Sequence, residues 1–146
     1  METSQKRLKI ASIVILVFTF FTLLNLGTEI YFSDFDAVII PDGAPDNIVL
    51  VTKIILASIS FLLVLPQIYI GIKGIKISNT PDSSKGHIVW CAILFAIAII
   101  NVISHTVAIA RHESVQENVS AVLSFLLEAA IFFDYLKYSL ILAKEN

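Results

Sequence analysis

The chain has 146 residues, of which 57% are hydrophobic and 15% are charged, and its formal net charge is -2. A soluble domain carries about 25% charged residues because its surface must face water, so this composition excludes a soluble enzyme and a disordered chain. The small net charge excludes a basic nucleic-acid-binding protein. The only cysteine, Cys91, cannot form an internal disulfide. With a mean hydropathy of +0.86, the composition predicts a small polytopic membrane protein.

Four segments are long and apolar enough to cross the hydrocarbon core of a membrane, which takes about 20 helical residues. In chain order they cover approximately residues 8–28, 49–72, 87–110 and 119–142. The fourth is the weakest because Glu128 and Asp134 interrupt it. Length and the lack of alternation favour helices over barrel strands. We therefore predict an all-α polytopic membrane protein, an antiparallel four-transmembrane-helix bundle forming one domain over residues 1–146.

Lysine and arginine are divided unequally between the two sides of this predicted bundle. One side holds eight of the ten: Lys6, Arg7, Lys9, Lys73, Lys76, Lys85, Lys137 and Lys144. The other side holds Lys53, Arg111 and most of the acidic residues. Cytoplasmic segments are enriched in lysine and arginine, so both termini are predicted to be cytoplasmic, in a multi-pass protein of the plasma membrane. A signal peptide is the alternative for the first span, but no A-x-A cleavage pattern follows Leu24.

Polar and small residues recur at steps of three and four along each span, which places them on one helix face. On the first two spans these are Thr22, Asn25 and Glu29, then Lys53, Ala57, Ser60, Val64, Gln67, Gly71 and Gly74. On the last two they are His87, Cys91, Leu94, Ala98, Asn101, His105, Ala108 and His112, then Ser124, Glu128, Ile131, Tyr135 and Tyr138. A repeat near 3.5 is typical of the seam of a left-handed bundle, so we expect these faces to point inward.

The depth of these side chains predicts a polar cavity that opens to the outer side. The residues expected to line it are Glu128, His105, Asn101, Lys53, Glu29 and Asn25. At 1.5 Å per residue, Glu128 lies about 14 Å below the outer surface, close to the midplane. The inner half is expected to be drier, with Gln67 beside Pro66 as its main polar feature. Interfacial positions are expected for Tyr31, Tyr135, Tyr138 and Trp90.

Each cavity residue also has a structural interpretation. The two asparagines commonly serve as interhelical hydrogen-bonding groups, and Lys53 can extend to the headgroups or pair with Glu29. A carboxyl group near the midplane binds a cation, carries a proton or pairs with a base. For Glu128, a proton-linked role with His105 and a buried structural pair remain equally open.

Motifs for catalysis, cofactors and metals are missing from the sequence. All three histidines follow one face of the third span, so a bis-histidine haem site would require a dimer. The outer loop contains His112, Glu113 and Glu117, a set more typical of a solvated surface than of a metal site. No HExxH, P-loop or nucleophile elbow is present. We therefore predict a non-enzyme without a cofactor or a metal.

The stretch Gly-Ile-Lys-Gly-Ile-Lys at residues 71–76, followed by Asn-Thr-Pro-Asp-Ser-Ser-Lys-Gly-His-Ile at residues 79–88, resembles the central cytoplasmic loop of small uncharacterised four-span membrane proteins from Gram-positive bacteria. The resemblance implies a bacterial inner-membrane protein. It implies no activity and no functional residues.

Three functions from different classes remain. The most specific hypothesis is a transport or channel-like protein with the outward-facing polar cavity. The second is a non-catalytic accessory or scaffold protein that binds another membrane protein, and the least supported is a membrane-embedded enzyme. The expected partners are the lipid bilayer and either further copies of the chain or another membrane protein, without nucleic acid.

Overall fold

The computed structural model describes residues 2–32, 45–80 and 85–145, and every regular element in these ranges is an α-helix. The helices are α1 (Glu2–Phe32), α2 (Asp46–Asn79), α3 (Gly86–Ala110) and α4 (Val115–Glu145). Each predicted span lies inside one helix, so the prediction of an all-α chain is confirmed. The helices extend past the predicted spans, and α2 continues through Pro66 without a break.

All four helices are long and apolar enough to cross a membrane. Large apolar side chains point away from the protein along their length; Leu62 is 61% exposed, and Ile100 and Leu123 are each 63% exposed. Contiguous apolar surface of this kind is unfavourable in water and favourable against lipid. The chain is thus a small integral membrane protein.

The helices divide between two compact units. Unit 1 consists of Met1–Leu16 and Pro66–Asn146, and unit 2 consists of Val17–Leu65. Unit 1 therefore contains the beginning of α1, the end of α2 and all of α3 and α4.

Unit 1 has a single apolar core to which all four helices contribute. Its buried members are Leu8, Ala11, Ile15, Ile70, Ile77, Cys91, Leu94, Ala98, Ala129, Phe132, Tyr135 and Leu142. Branched and aromatic side chains fill most of this space, and the alanines allow close contact between helices. The core is therefore held by van der Waals packing, the main source of helix association in lipid.

Two glycines of α2 allow α1 to approach closely within unit 1. A Cβ atom added to Gly71 would lie 2.6 Å from the side chain of Leu16. A Cβ atom added to Gly74 would overlap Ser12 Oγ and would lie 2.5 Å from the ring of Tyr135. Small residues at such a crossing bring helix backbones together in membrane proteins. Any larger residue at Gly74 would force α1, α2 and α4 apart.

Helices α3 and α4 contact each other along their length. Near the start of α3, the Cys91 thiol donates a hydrogen bond to the backbone carbonyl oxygen of Phe132, at 3.5 Å. Near its end, the ring of His105 stacks on Phe125 with 5.6 Å between ring centroids. The connection between the helices is only four residues long and contains His112 and Ser114 in left-handed conformations.

In unit 2, hydroxyl groups bond within their own helix. Thr22 donates to the carbonyl oxygen of Phe18 at 3.0 Å, and Thr28 donates to that of Asn25 at 2.8 Å. Such bonds satisfy a polar side chain without a partner helix. These two threonines therefore need no polar cavity around them.

Candidate functional site

The carboxyl group of Glu128 is bonded across the interface between α2 and α4. Gln67 Nε2 donates to Glu128 Oε1 at 3.1 Å, and both side chains are half-buried. Gln67 directly follows Pro66, which has no backbone N–H to donate. Sequence reasoning named both residues, but the contact between them depends on how α2 and α4 pack in unit 1.

His105 has a different partner. Its Nδ1 lies 2.6 Å from Asn118 Oδ1, and its ring stacks on Phe125. The Asn118 side chain is oriented by two further bonds, because its Nδ2 donates to the carbonyl oxygens of Glu113 at 2.7 Å and Ser114 at 3.2 Å. The amide oxygen of Asn118 therefore faces the imidazole.

This orientation determines the tautomer of His105. An amide oxygen is only an acceptor, so Nδ1 of His105 carries the proton and donates it to Asn118. In the neutral ring, Nε2 then has its lone pair available to accept a proton. Fixing one ring nitrogen by hydrogen bonding, so that the other is presented for chemistry, is common at functional histidines.

The remaining residues of the predicted cavity are distributed between the two units. Asn101 is half-buried on α3, one turn before His105. Asn25 belongs to unit 2, and its side chain is exposed. Glu29 and Lys53 lie within α1 and α2, but their side chains are outside the part of the chain that the structure describes.

The predicted inward faces differ in how well they match the structure. On α3, the prediction is confirmed for His87, Cys91, Leu94 and Ala98, which are all buried. On α1, Thr22 and Asn25 are exposed and belong to unit 2, so their inward position stays a prediction. The buried face of α1 is formed by Leu8, Ala11, Ser12, Ile15 and Thr19. The steps of three and four selected polar residues in the second half of α1, whereas contact with α2 at its glycines determines which face of the first half is buried.

The half of the bundle expected to be drier contains more buried polar side chains than Gln67 alone. The ends of the helices that carry the eight lysine and arginine residues, here called the lysine-rich end, come together in unit 1. Buried there are the polar side chains of Ser12, Ser78, His87, Tyr135 and Ser139. Tyr135, expected at an interface, is fully buried, and its hydroxyl donates to the backbone carbonyl oxygen of Ile70 at 2.9 Å.

Contacts between helices support this grouping of the helix ends. Lys9 on α1 donates to Asn79 on α2 at 3.4 Å. The rings of His87 on α3 and Tyr135 on α4 meet edge to face, with 6.0 Å between centroids.

Sequence reasoning missed the roles of Asn118 and Ser12. Asn118 stands in the first turn of α4 after a short connection, a position where side-chain amides often bond to nearby backbone groups. Ser12 is four residues from Leu8, whose carbonyl oxygen accepts its hydroxyl hydrogen bond at 2.7 Å. Steps of four and three through Leu8, Ser12, Ile15 and Thr19 were the available signal for this face.

No protein-family model, curated protein or solved structure matches the chain. Among the described residues, no group of three or more histidine, cysteine, aspartate or glutamate side chains is placed to hold a metal ion.

Proposed function

We propose that this membrane protein carries protons or small cations across the plasma membrane and that Glu128 is the group that binds them. One observation carries the proposal: the carboxyl group lies well inside an apolar helix and is hydrogen-bonded to Gln67 at 3.1 Å. Ionisable side chains inside transmembrane helices are costly and occur mainly on ion or proton pathways. The neutral amide of Gln67 orients Glu128 without neutralising its charge, so the carboxyl group can both take up and release a cation.

The outer part of this pathway is proposed to lie along α3. Asn101 and His105 share the face of α3 that continues from the buried stripe. The geometry at Asn118 presents His105 Nε2 as a proton acceptor. Protons or cations are proposed to move along this route from His105 towards Glu128.

The proposed topology is an antiparallel four-helix bundle with both termini in the cytoplasm. Its support is the enrichment of lysine and arginine at one end. Further support comes from α3 and α4, since Cys91 contacts Phe132 while His105, later in α3, contacts Asn118, earlier in α4.

Ion flux in reconstituted vesicles tests the function. The purified full chain is placed in vesicles that contain a pH-sensitive dye, and a valinomycin-clamped potassium gradient sets the membrane potential. We expect voltage-driven flux that falls at least about tenfold in Glu128→Gln, because the amide cannot take up a proton or balance a cation. The matched control is Asp134→Asn, which removes an exposed carboxylate from the same helix. Wild-type flux in Glu128→Gln would remove this residue from the mechanism.

Thiol labelling tests access to the site independently of flux. Single cysteines replace Asn101, His105 and Glu128, and a membrane-impermeant reagent is added from the outside. Cys91 is fully buried, so it can stay in place as an internal negative control. Labelling at all three positions supports a water-accessible pathway. Protection at all three, in folded variants, would favour the accessory or scaffold function instead.

A further inference from the structure

The proposed pathway needs a route from Glu128 to the lysine-rich end. Tyr135 lies seven residues after Glu128 on α4, which is about 10 Å further along the same helix face. Its hydroxyl reaches the Ile70 carbonyl oxygen on α2 at 2.9 Å, and Ile70 is one turn after Gln67. Polar contacts between α2 and α4 therefore occur at two levels, at Glu128 and at Tyr135, which are one turn apart on α2 and two turns apart on α4.

A second hydroxyl lies beside Tyr135. Because a Cβ atom at Gly74 would meet both Ser12 Oγ and the Tyr135 hydroxyl, the two hydroxyl groups border the same glycine. Both residues have no solvent-exposed surface. Because Gly74 has no side chain, the hydroxyl groups of Ser12 on α1 and Tyr135 on α4 both lie against the surface of α2.

The third polar group is the imidazole of His87. It is 2% exposed and packs edge to face against the ring of Tyr135. His87 is the second residue of α3, so it lies at the lysine-rich end. Three helices therefore each place a protonatable or hydroxyl side chain in the core at this end: Ser12 and Tyr135 lie beside Gly74, and His87 lies against the ring of Tyr135.

We propose that Tyr135, Ser12 and His87 form the inner half of a proton path that begins at Glu128, and that the proton is the transported ion. This inference rests on the proposed function and names its substrate. Hydroxyl and imidazole groups pass protons readily. The side chains found buried at this end, as far as the structure describes them, include no carboxylate to bind a metal cation. Close packing around Gly74 also leaves little room for a hydrated cation.

The proton balance of the path is simple. Glu128 releases its proton to water that enters between the helices. The hydroxyl groups of Tyr135 and Ser12 each accept a proton on oxygen and give up their own, so both end unchanged apart from the direction of the O–H bond. The His87 imidazole takes up the proton as imidazolium and releases it at the lysine-rich end.

The test measures proton flux in the same vesicles with the hydroxyl of Tyr135 removed. Tyr135→Phe keeps the ring against His87 and is expected to lower the flux at least about tenfold. Ser12→Ala and His87→Gln, made separately, are expected to lower it in the same direction. The matched control is Ser78→Ala: like Ser12, this buried hydroxyl lies at the lysine-rich end and donates to a carbonyl oxygen of its own helix, but it is not among the atoms nearest to a Cβ at Gly74. Its flux should remain that of the wild type.

Failure of this inference is distinguishable from failure of the proposed function. Wild-type flux that requires Glu128 but persists in folded Tyr135→Phe, Ser12→Ala and His87→Gln would overturn the inner path alone. Flux that requires Glu128 and carries sodium when the membrane potential is clamped would overturn the proton as the substrate. The absence of any Glu128-dependent flux would overturn both proposals. Helical content and elution as a single species establish folding for each variant, and loss of folding in Tyr135→Phe leaves the decision to the other two variants.

Discussion

The two ends of unit 1 hold polar side chains in different ways. At the lysine-rich end, Ser12, His87 and Tyr135 are fully or almost fully buried. At the other end of α3 and α4, Asn101 and His105 are only half-buried. The end with most of the basic surface residues is therefore also the end with the more enclosed polar interior.

The difference follows from how closely the helices approach. Near the lysine-rich end, Gly71 and Gly74 bring α1 against α2, so hydroxyl groups there are enclosed by backbone. At the other end, no comparable glycine lies on α3 or α4, and larger side chains keep polar groups closer to the surface. Position along the chain thus matters less for burial than the size of the residue on the facing helix.

The largest expected effect comes from comparing a phenylalanine in the core with a neighbouring phenylalanine that faces lipid. Phe132 is 3% exposed and its neighbour Phe133 is 54% exposed. Phe132→Ala should lower the free energy of unfolding by about 3 kcal/mol, because it leaves a cavity in the core. Phe133→Ala is the matched control and should have little effect, since lipid fills the space. Denaturant titration in detergent micelles, followed by circular dichroism, measures both, and equal losses would contradict the assignment of the two faces.

The second prediction tests the close approach at the lysine-rich end. Gly74→Ala should lower the free energy of unfolding by about 2 kcal/mol, because the added Cβ overpacks the space between Ser12 and Tyr135. Gly27→Ala is the control, since no atom lies within 4 Å of its added Cβ. The same titration compares them. A Gly74→Ala variant as stable as the wild type would show that this crossing is looser than its geometry indicates.

The third prediction concerns the opposite end, where hydrogen bonds rather than close packing hold the polar groups. Asn118→Ala should lower the free energy of unfolding by about 1 kcal/mol, because it removes the bonds to Glu113, Ser114 and His105. In the wild type, nitrogen NMR of the neutral His105 ring should show the proton on Nδ1. The variant should show a mixture of tautomers. A wild-type ring protonated on Nε2 would contradict the orientation of the Asn118 amide.

The smallest expected effect on stability is that of Tyr135→Phe. Loss of its hydrogen bond to Ile70 should lower the free energy of unfolding by about 0.6 kcal/mol, the usual value for such a bond inside a membrane protein. A loss of stability of this size would not account for the proposed loss of about tenfold in proton flux in the same variant. A fall in flux no larger than the fall in the folded fraction of the same preparation would indicate a structural role for the hydroxyl and no role in transport.

Several features of the fold could be predicted because they depend on one helix at a time. The spans follow from the length of apolar runs, and the buried face of α3 follows from its steps of three and four through His87, Cys91, Leu94 and Ala98. The buried face of α1 could not be found in this way. Polar character favours Thr22 and Asn25, but the hydroxyl of Thr22 bonds to its own helix and needs no partner.

The sequence by itself determined that this is a membrane protein of four apolar helices, because crossing lipid demands a long apolar run in each helix. It also identified Glu128 as a candidate site residue, since acidic residues are rare inside such a run. Only the tertiary structure decided that Gln67 is the partner of Glu128 and that Asn118 orients His105. These pairings join different helices, and the rotation and spacing of packed helices depend on the combined shapes of both surfaces.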